Sequence, residues 1–134
     1  MTTAIIPNDS KRDFILGGNA IVTFKSLKTN KHYTYKIKKA KNIDIYFVSV
    51  LFNADSKQYQ YIGCINSKKQ FISTKNSKVS INAISFRAFN WSWNNLNADE
   101  MEIWHEGRCG RCGRSLTDPE SIRLGFGPIC KNIH

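Results

Sequence analysis

No stretch of this chain approaches twenty consecutive apolar residues, so nothing in it reads as a membrane-spanning helix. Glutamate is missing from the first 80 residues, which set four aspartates against thirteen lysines and one arginine; an acidic, DNA-mimicking surface is excluded there. Cysteine is scarce as well. Three of the four cysteines crowd the last quarter and Cys64 stands alone, which is not the framework of a disulfide-stapled secreted domain and fits a reducing compartment. The segment Met1 to Pro7 is too short an apolar stretch for a signal peptide and lacks a basic flank. A soluble protein of a bacterial cytoplasm is therefore expected. There is no internal repeat and no low-complexity tract, which argues against a solenoid. Nucleophile–base pairs, phosphate loops and paired carboxylates in an apolar setting are also lacking, so the chain reads as a non-enzyme.

What is present begins with charge. The net charge is +10, and all of the excess lies in residues 1–80, because acids and bases balance over residues 81–134. Such a surface attracts a polyanion or an acidic protein, although scattered lysines also serve simply to keep a small protein soluble. The chain has 134 residues, 41% of them hydrophobic and 12% aromatic, enough for one domain or one domain with a small appendage. Lys, Asn and Ile together supply 43 residues, a bias that AT-rich codons produce, pointing to a low-GC bacterium, its plasmids or its phages.

After a loose lead-in over residues 1–13, strand patterns follow one another: Ala20 to Leu27, His32 to Lys38, Tyr46 to Phe52, Tyr59 to Ile65 and a shorter one over Gln70 to Thr74. In the second, Tyr33, Tyr35 and Ile37 alternate with Thr34, Lys36 and Lys38. Turns are expected at Lys28 to Lys31 and Asn53 to Lys57. From Ser80 the period changes. Ile81, Ile84, Ala88 and Trp91 recur at helical spacing, Phe86, Phe89, Trp93 and Leu96 fill neighbouring positions, and Ser77 or Ser80 is placed to cap. The aromatic stripe suits a helix face buried on the sheet better than a base-stacking platform. A second short helix is expected over Asp99 to His105, stopped by Gly107. The fold class is α+β: an antiparallel meander of four to five strands packed by a helix (residues 1–97), followed by a C-terminal treble-clef or ribbon-like zinc module (residues 98–134).

The module rests on Cys109-Gly-Arg-Cys112, a metal knuckle, and on Cys130, separated from Cys112 by seventeen residues and inside the window for the second half of a four-ligand site. The segment is too short and polar to hold itself with a core, and a tetrahedral ion on thiolates supplies folding energy on the order of 10 kcal/mol. Gly110 and Gly113 let backbone amides turn toward the sulfurs. Thr117 to Glu120 has the form of a capping box, so a short helix is expected near Pro119 and ends at Gly125. Pro128 opens a last helical turn, which places Cys130 where the helix dipole favours thiolate. Two histidines compete for the fourth ligand. His134 could share a helix face with Cys130 but is the final residue; His105, four residues before Cys109, ends the expected second helix, which Ile103 and Trp104 can tie to the packed body, and is preferred. Four filled positions leave no site for a reactive water, so the expected Zn2+ is structural.

Between residues 105 and 130 the chain resembles a family of zinc-binding modules common in phage and prophage proteins, a domain of unknown function. The pattern is carried by His105, Cys109, Cys112-Gly113-Arg114, Leu116-Thr117, Pro119, Ser121-Ile122 and Gly125-x-Gly127-Pro128-x-Cys130, and it includes His105 as a ligand. In size and in its C-terminal zinc module the whole chain is similar to the zinc-containing type II anti-CRISPR proteins. That resemblance implies a protein-binding inhibitor of the nuclease Cas9 that blocks target binding or cleavage. Arg108, Arg111 and Arg114 in the knuckle, with Lys36, Lys38 and Lys39 in the sheet, are the candidate partner contacts, since Arg pairs bidentately with carboxylates and phosphates alike. Some of these arginines are also expected to bond the backbone of the zinc loops. The alternative is a basic, zinc-containing nucleic-acid binder whose lysines track phosphates.

Overall fold

The computed structural model describes residues 4–7 and 10–113. Its elements are β1 (Ala4–Ile5), α1 (Lys11–Ile15), β2 (Asn19–Ser26), β3 (His32–Lys39), β4 (Tyr46–Asn53), β5 (Gln58–Ile65), β6 (Phe71–Ile72), α2 (Ile84–Asn94) and β7 (Met101–His105). The strands form one antiparallel sheet in the order β1-β7-β2-β3-β4-β5-β6, so the fold is α+β with the expected meander at its centre. No helix among the described residues is long and apolar enough to cross a membrane.

Alternation sets the sheet's two faces. Ala20, Val22 and Phe24 of β2, Tyr35 and Ile37 of β3, and Tyr46, Val48 and Val50 of β4 are all buried. The register places Val22 opposite Tyr35, and Ile37 opposite Val48, so one contiguous apolar face results. The turns lie where expected: Asn30 and Lys57 take left-handed φ values of 61° and 56°, and the Asn53 Oδ1 accepts the amides of Asp55 and Ser56. At Gly63 a Cβ would collide with the Ile72 carbonyl oxygen, so glycine permits β6 to close on β5.

The helix α2 lies over this face. Phe86, Phe89 and Trp93 are buried, with the Phe89 ring 5.0 Å from Tyr35 and 4.6 Å from Phe71. The Tyr35 hydroxyl donates to the Ser85 carbonyl at 2.7 Å, and the Trp93 indole N–H donates to the Lys69 carbonyl at 2.9 Å. Trp91, expected among the core aromatics, is instead 45% exposed, and Ile84 is 59% exposed. The spacing Ile84–Ala88–Trp91 is helical, but it marks the outward stripe; Ile81 precedes the helix. Neither expected serine caps it: Ala83 holds the N-cap position without a side-chain bond, while the Ser80 and Ser77 hydroxyls accept the amides of Asn82 and Thr74.

Two further expectations are corrected. Met101–His105 is a strand, not a helix. Met101, Ile103 and His105 are buried and Glu102 and Trp104 half-buried, a period of two that slots β7 between β1 and β2. The described residues of the lead-in are also not loose: β1 pairs with β7, Ile6 is buried, and α1 starts at Lys11 and buries Phe14 and Ile15 just beyond it. The Lys11 ammonium, 3% exposed as a residue, donates to the Leu96 carbonyl at 2.8 Å, and desolvation lowers its pKa.

Candidate metal centre

Strand β7 delivers His105 to the core face, opposite Val22 of β2 and Ala4 of β1. The imidazole is 1% exposed and its ring centroid lies 5.4 Å from that of Phe14. The chain then reverses through Gly107, whose φ of +77° is left-handed, and its amide donates to His105 Nδ1 at 2.9 Å. With that lone pair engaged, the imidazole proton sits on Nε2. A metal bond at Nδ1 would replace the Gly107 amide, and one at Nε2 would require the proton to move to Nδ1, where ligating histidines ordinarily donate it onward.

The knuckle follows at once. The Gly113 amide donates to the Cys109 carbonyl at 2.9 Å, and the Arg111 amide points at Cys109 Sγ at 3.4 Å. Gly113 takes a φ of +78°, which lets the loop close. An amide directed at sulfur stabilises thiolate over thiol, so the donor set and the turn at Cys109–Cys112 fit a divalent, thiolate-seeking ion. Cys109 is buried and Cys112 exposed. Among the described residues, no three His, Cys, Asp or Glu side chains are gathered into a group that could hold an ion. Cys130, the third expected thiolate, and His134, the rival fourth ligand, lie outside the described residues, as do Arg114 and the expected capping box at Thr117.

The body grips the knuckle at Gly110. The Asn19 amide donates to the Gly110 carbonyl at 2.8 Å, and the Asn19 side-chain amide donates to the Arg111 carbonyl at 3.4 Å. A Cβ on Gly110 would stand 2.7 Å from the Phe14 ring, so the loop lies flat on α1 only because no side chain intervenes. Phe14 and Asn19 therefore position the loop. Sequence reasoning assigned neither to it, since both lie about ninety residues upstream.

The candidate contacts divide. Arg111 is exposed, and Arg108, also exposed, donates to the Gly113 carbonyl at 3.3 Å. Lys38 faces Asn19 across the β2–β3 pair, and the Lys39 amide donates to the Gly18 carbonyl at 3.1 Å. Arg108, Arg111, Lys38 and Lys39 thus share one end of the sheet. Lys36 stands apart, half-buried with its ammonium 5.7 Å from the centroid of the Tyr59 ring. No curated protein and no solved structure matches the chain. The segment bearing the knuckle does match: residues 104–132, about a fifth of the chain, fit the model of a family of unknown function (DUF6011).

Proposed function

We propose that this protein is a non-enzymatic, zinc-binding phage accessory factor that acts in the host bacterial cytoplasm by binding a partner, and that the partner is the type II effector Cas9. The observation that carries the reading is the basic end of the sheet, where Arg108 and Arg111 of the knuckle adjoin Lys38 and Lys39 of β3. The knuckle sets two guanidiniums on a loop clamped by the body and, when bound, by Zn2+. Fixed guanidiniums pair with carboxylates at less entropic cost than mobile ones. The ion serves as scaffold, because three cysteines and a histidine fill a tetrahedral site and leave no position for water.

The test is co-elution of the zinc-loaded protein with guide-loaded Cas9, together with a target-cleavage assay. Expected are a stoichiometric complex, blocked cleavage, and at least tenfold weaker binding for the double variant Arg111→Glu, Lys38→Glu, with its association rate most affected. Undiminished cleavage and no complex would end this reading.

A second reading, nucleic-acid binding, is favoured by the other sheet face, where Lys36 lies over Tyr59 and the rings of Phe47 and Tyr61 meet edge-on at 6.0 Å. It requires affinity for bare DNA or RNA that falls linearly on a log–log plot against salt, with a slope of about 0.7–0.9 per phosphate neutralised.

A further inference from the structure

The outward stripe of α2 is one wall of a cavity. Ile84, Ala88 and Trp91 face Tyr33 and Met101 across a groove of about 370 Å3, with Lys31 and Glu100 also lining it. The walls are aliphatic and aromatic, and the volume falls at the small end of the range of about 300–1,000 Å3 typical of ligand sites, enough for one or two side chains. Trp91 is 45% exposed here, although the same helix hides its other three aromatic rings. A half-exposed indole beside an apolar groove is the composition of a binding hot spot.

Charge selects the occupant. Glu100 is held by Lys28 at 3.5 Å, whereas Lys31 has no ion pair among the described residues, so the rim is left positive. A second copy of the chain would bring another +10 against it, and association between such copies is opposed at long range. An acidic partner is drawn in instead. The groove adjoins Ser26, the opposite end of β2 from Asn19, which grips the knuckle. It is therefore a site separate from the metal centre, and it does not depend on Cas9 being the target.

We propose that this groove docks a segment of an acidic protein, which inserts a bulky apolar side chain beside Trp91 and sets a carboxylate against Lys31.

The probe is a displayed library of random peptides selected on the zinc-loaded full chain. Enriched sequences are expected to combine Phe, Leu, Ile or Trp with Asp or Glu. Their affinity should fall at least tenfold with Trp91→Ala and with Ala88→Glu, about threefold or more with Lys31→Glu, and less than twofold with Lys68→Ala on a distant turn. Trp91 is half-exposed, so Trp91→Ala should keep the wild-type far-UV spectrum and guard against a loss due to misfolding. The proposal fails if no sequence is enriched, if the enriched peptides lack carboxylates, or if they bind Ala88→Glu as well as wild type. It fails equally if Trp91→Ala dissolves a dimer or removes affinity for single-stranded oligonucleotides, since the occupant would then be a second copy or a base.

Discussion

At the scale of single residues, two glycines of the knuckle are required for different reasons. Gly110 has an ordinary backbone but no room: a methyl group would press on the Phe14 ring at 2.7 and 2.8 Å and on its carbonyl oxygen at 3.1 Å. Gly113 has open space but a φ of +78°. Gly110→Ala should cost about 1–3 kcal/mol through overpacking, and Gly113→Ala about 1–2 kcal/mol through backbone strain, both read from denaturant midpoints. Phe14→Leu should relieve the first and not the second; equal relief of both would contradict the packing. Tyr35 supplies a pH-dependent counterpart. Burial, with the neighbouring Tyr33 second, pushes its phenol far above the ordinary value near 10, while its hydroxyl bonds the Ser85 carbonyl. The folded state then holds the proton that the unfolded state releases. The contribution is whole below pH ~10 and fades as pH rises beyond that value. Tyr35→Phe should lose about 1 kcal/mol at neutral pH, with the gap to wild type narrowing above pH ~10. A gap that stays constant from pH ~8 to ~11 would refute the assignment.

Among the elements, legibility followed pattern length. The meander strands β2 to β5 each run eight residues, long enough for alternation or an apolar run to declare itself, and each was readable within a residue or two. Met101–His105 was not, because five residues hold little more than one helical turn and Glu, Met and Trp tolerate either state. Its strand character comes from non-local bonds to β1 and β2, which no local window contains. The one-turn α1 escaped for the same reason. Within α2 the helix was legible but its orientation was not. Both the Ile84–Ala88–Trp91 stripe and the Phe86–Phe89–Trp93 face are apolar, so periodicity alone leaves two answers. Of the candidate site, the Gly-containing Cys109–Cys112 spacing made a tight turn legible, whereas the docking of that turn on Phe14 and Asn19 depends on tertiary contact. The orientation is testable inside the one helix. Phe89→Ala removes a ring packed on Phe24, Tyr35 and Phe71 and should cost about 3–5 kcal/mol. Trp91→Ala should cost under about 1 kcal/mol, since its ring is half in water already. Comparable losses in thermal unfolding would mean that α2 is rotated.

For the molecule as a whole, the question is how far the influence of a metal held at the knuckle would extend. If the knuckle holds zinc as proposed, the sheet is expected to stand without the ion. His105 enters β7 by pairing with Val22 and Ala4, and the core that runs from Ile6 through Ile103 also takes in Cys109 at the root of the knuckle. On the proposed reading the knuckle is expected to rely on it more, since among the described residues Cys112 is exposed. On that reading zinc would act locally, fixing the arginines at the basic end and leaving the sheet's stability to packing. The three described cysteines report this separation. Burial raises the Cys64 thiol, partly offset by a hydrogen bond with Tyr61, so it should alkylate slowly with or without metal. Cys112, which is exposed, should be protected in the zinc-loaded protein and become reactive on chelation at neutral pH, with the buried Cys109 slower to follow, while amide exchange across β2–β3 and β2–β7 stays slow. Chelation should also weaken partner binding through Arg108 and Arg111 and leave the Trp91 groove unaffected. If stripping the metal instead released the Met101–His105 amides or exposed Cys64 together with the knuckle, the ion would be holding the sheet, and the division between a packed body and a metal-fixed loop would be wrong.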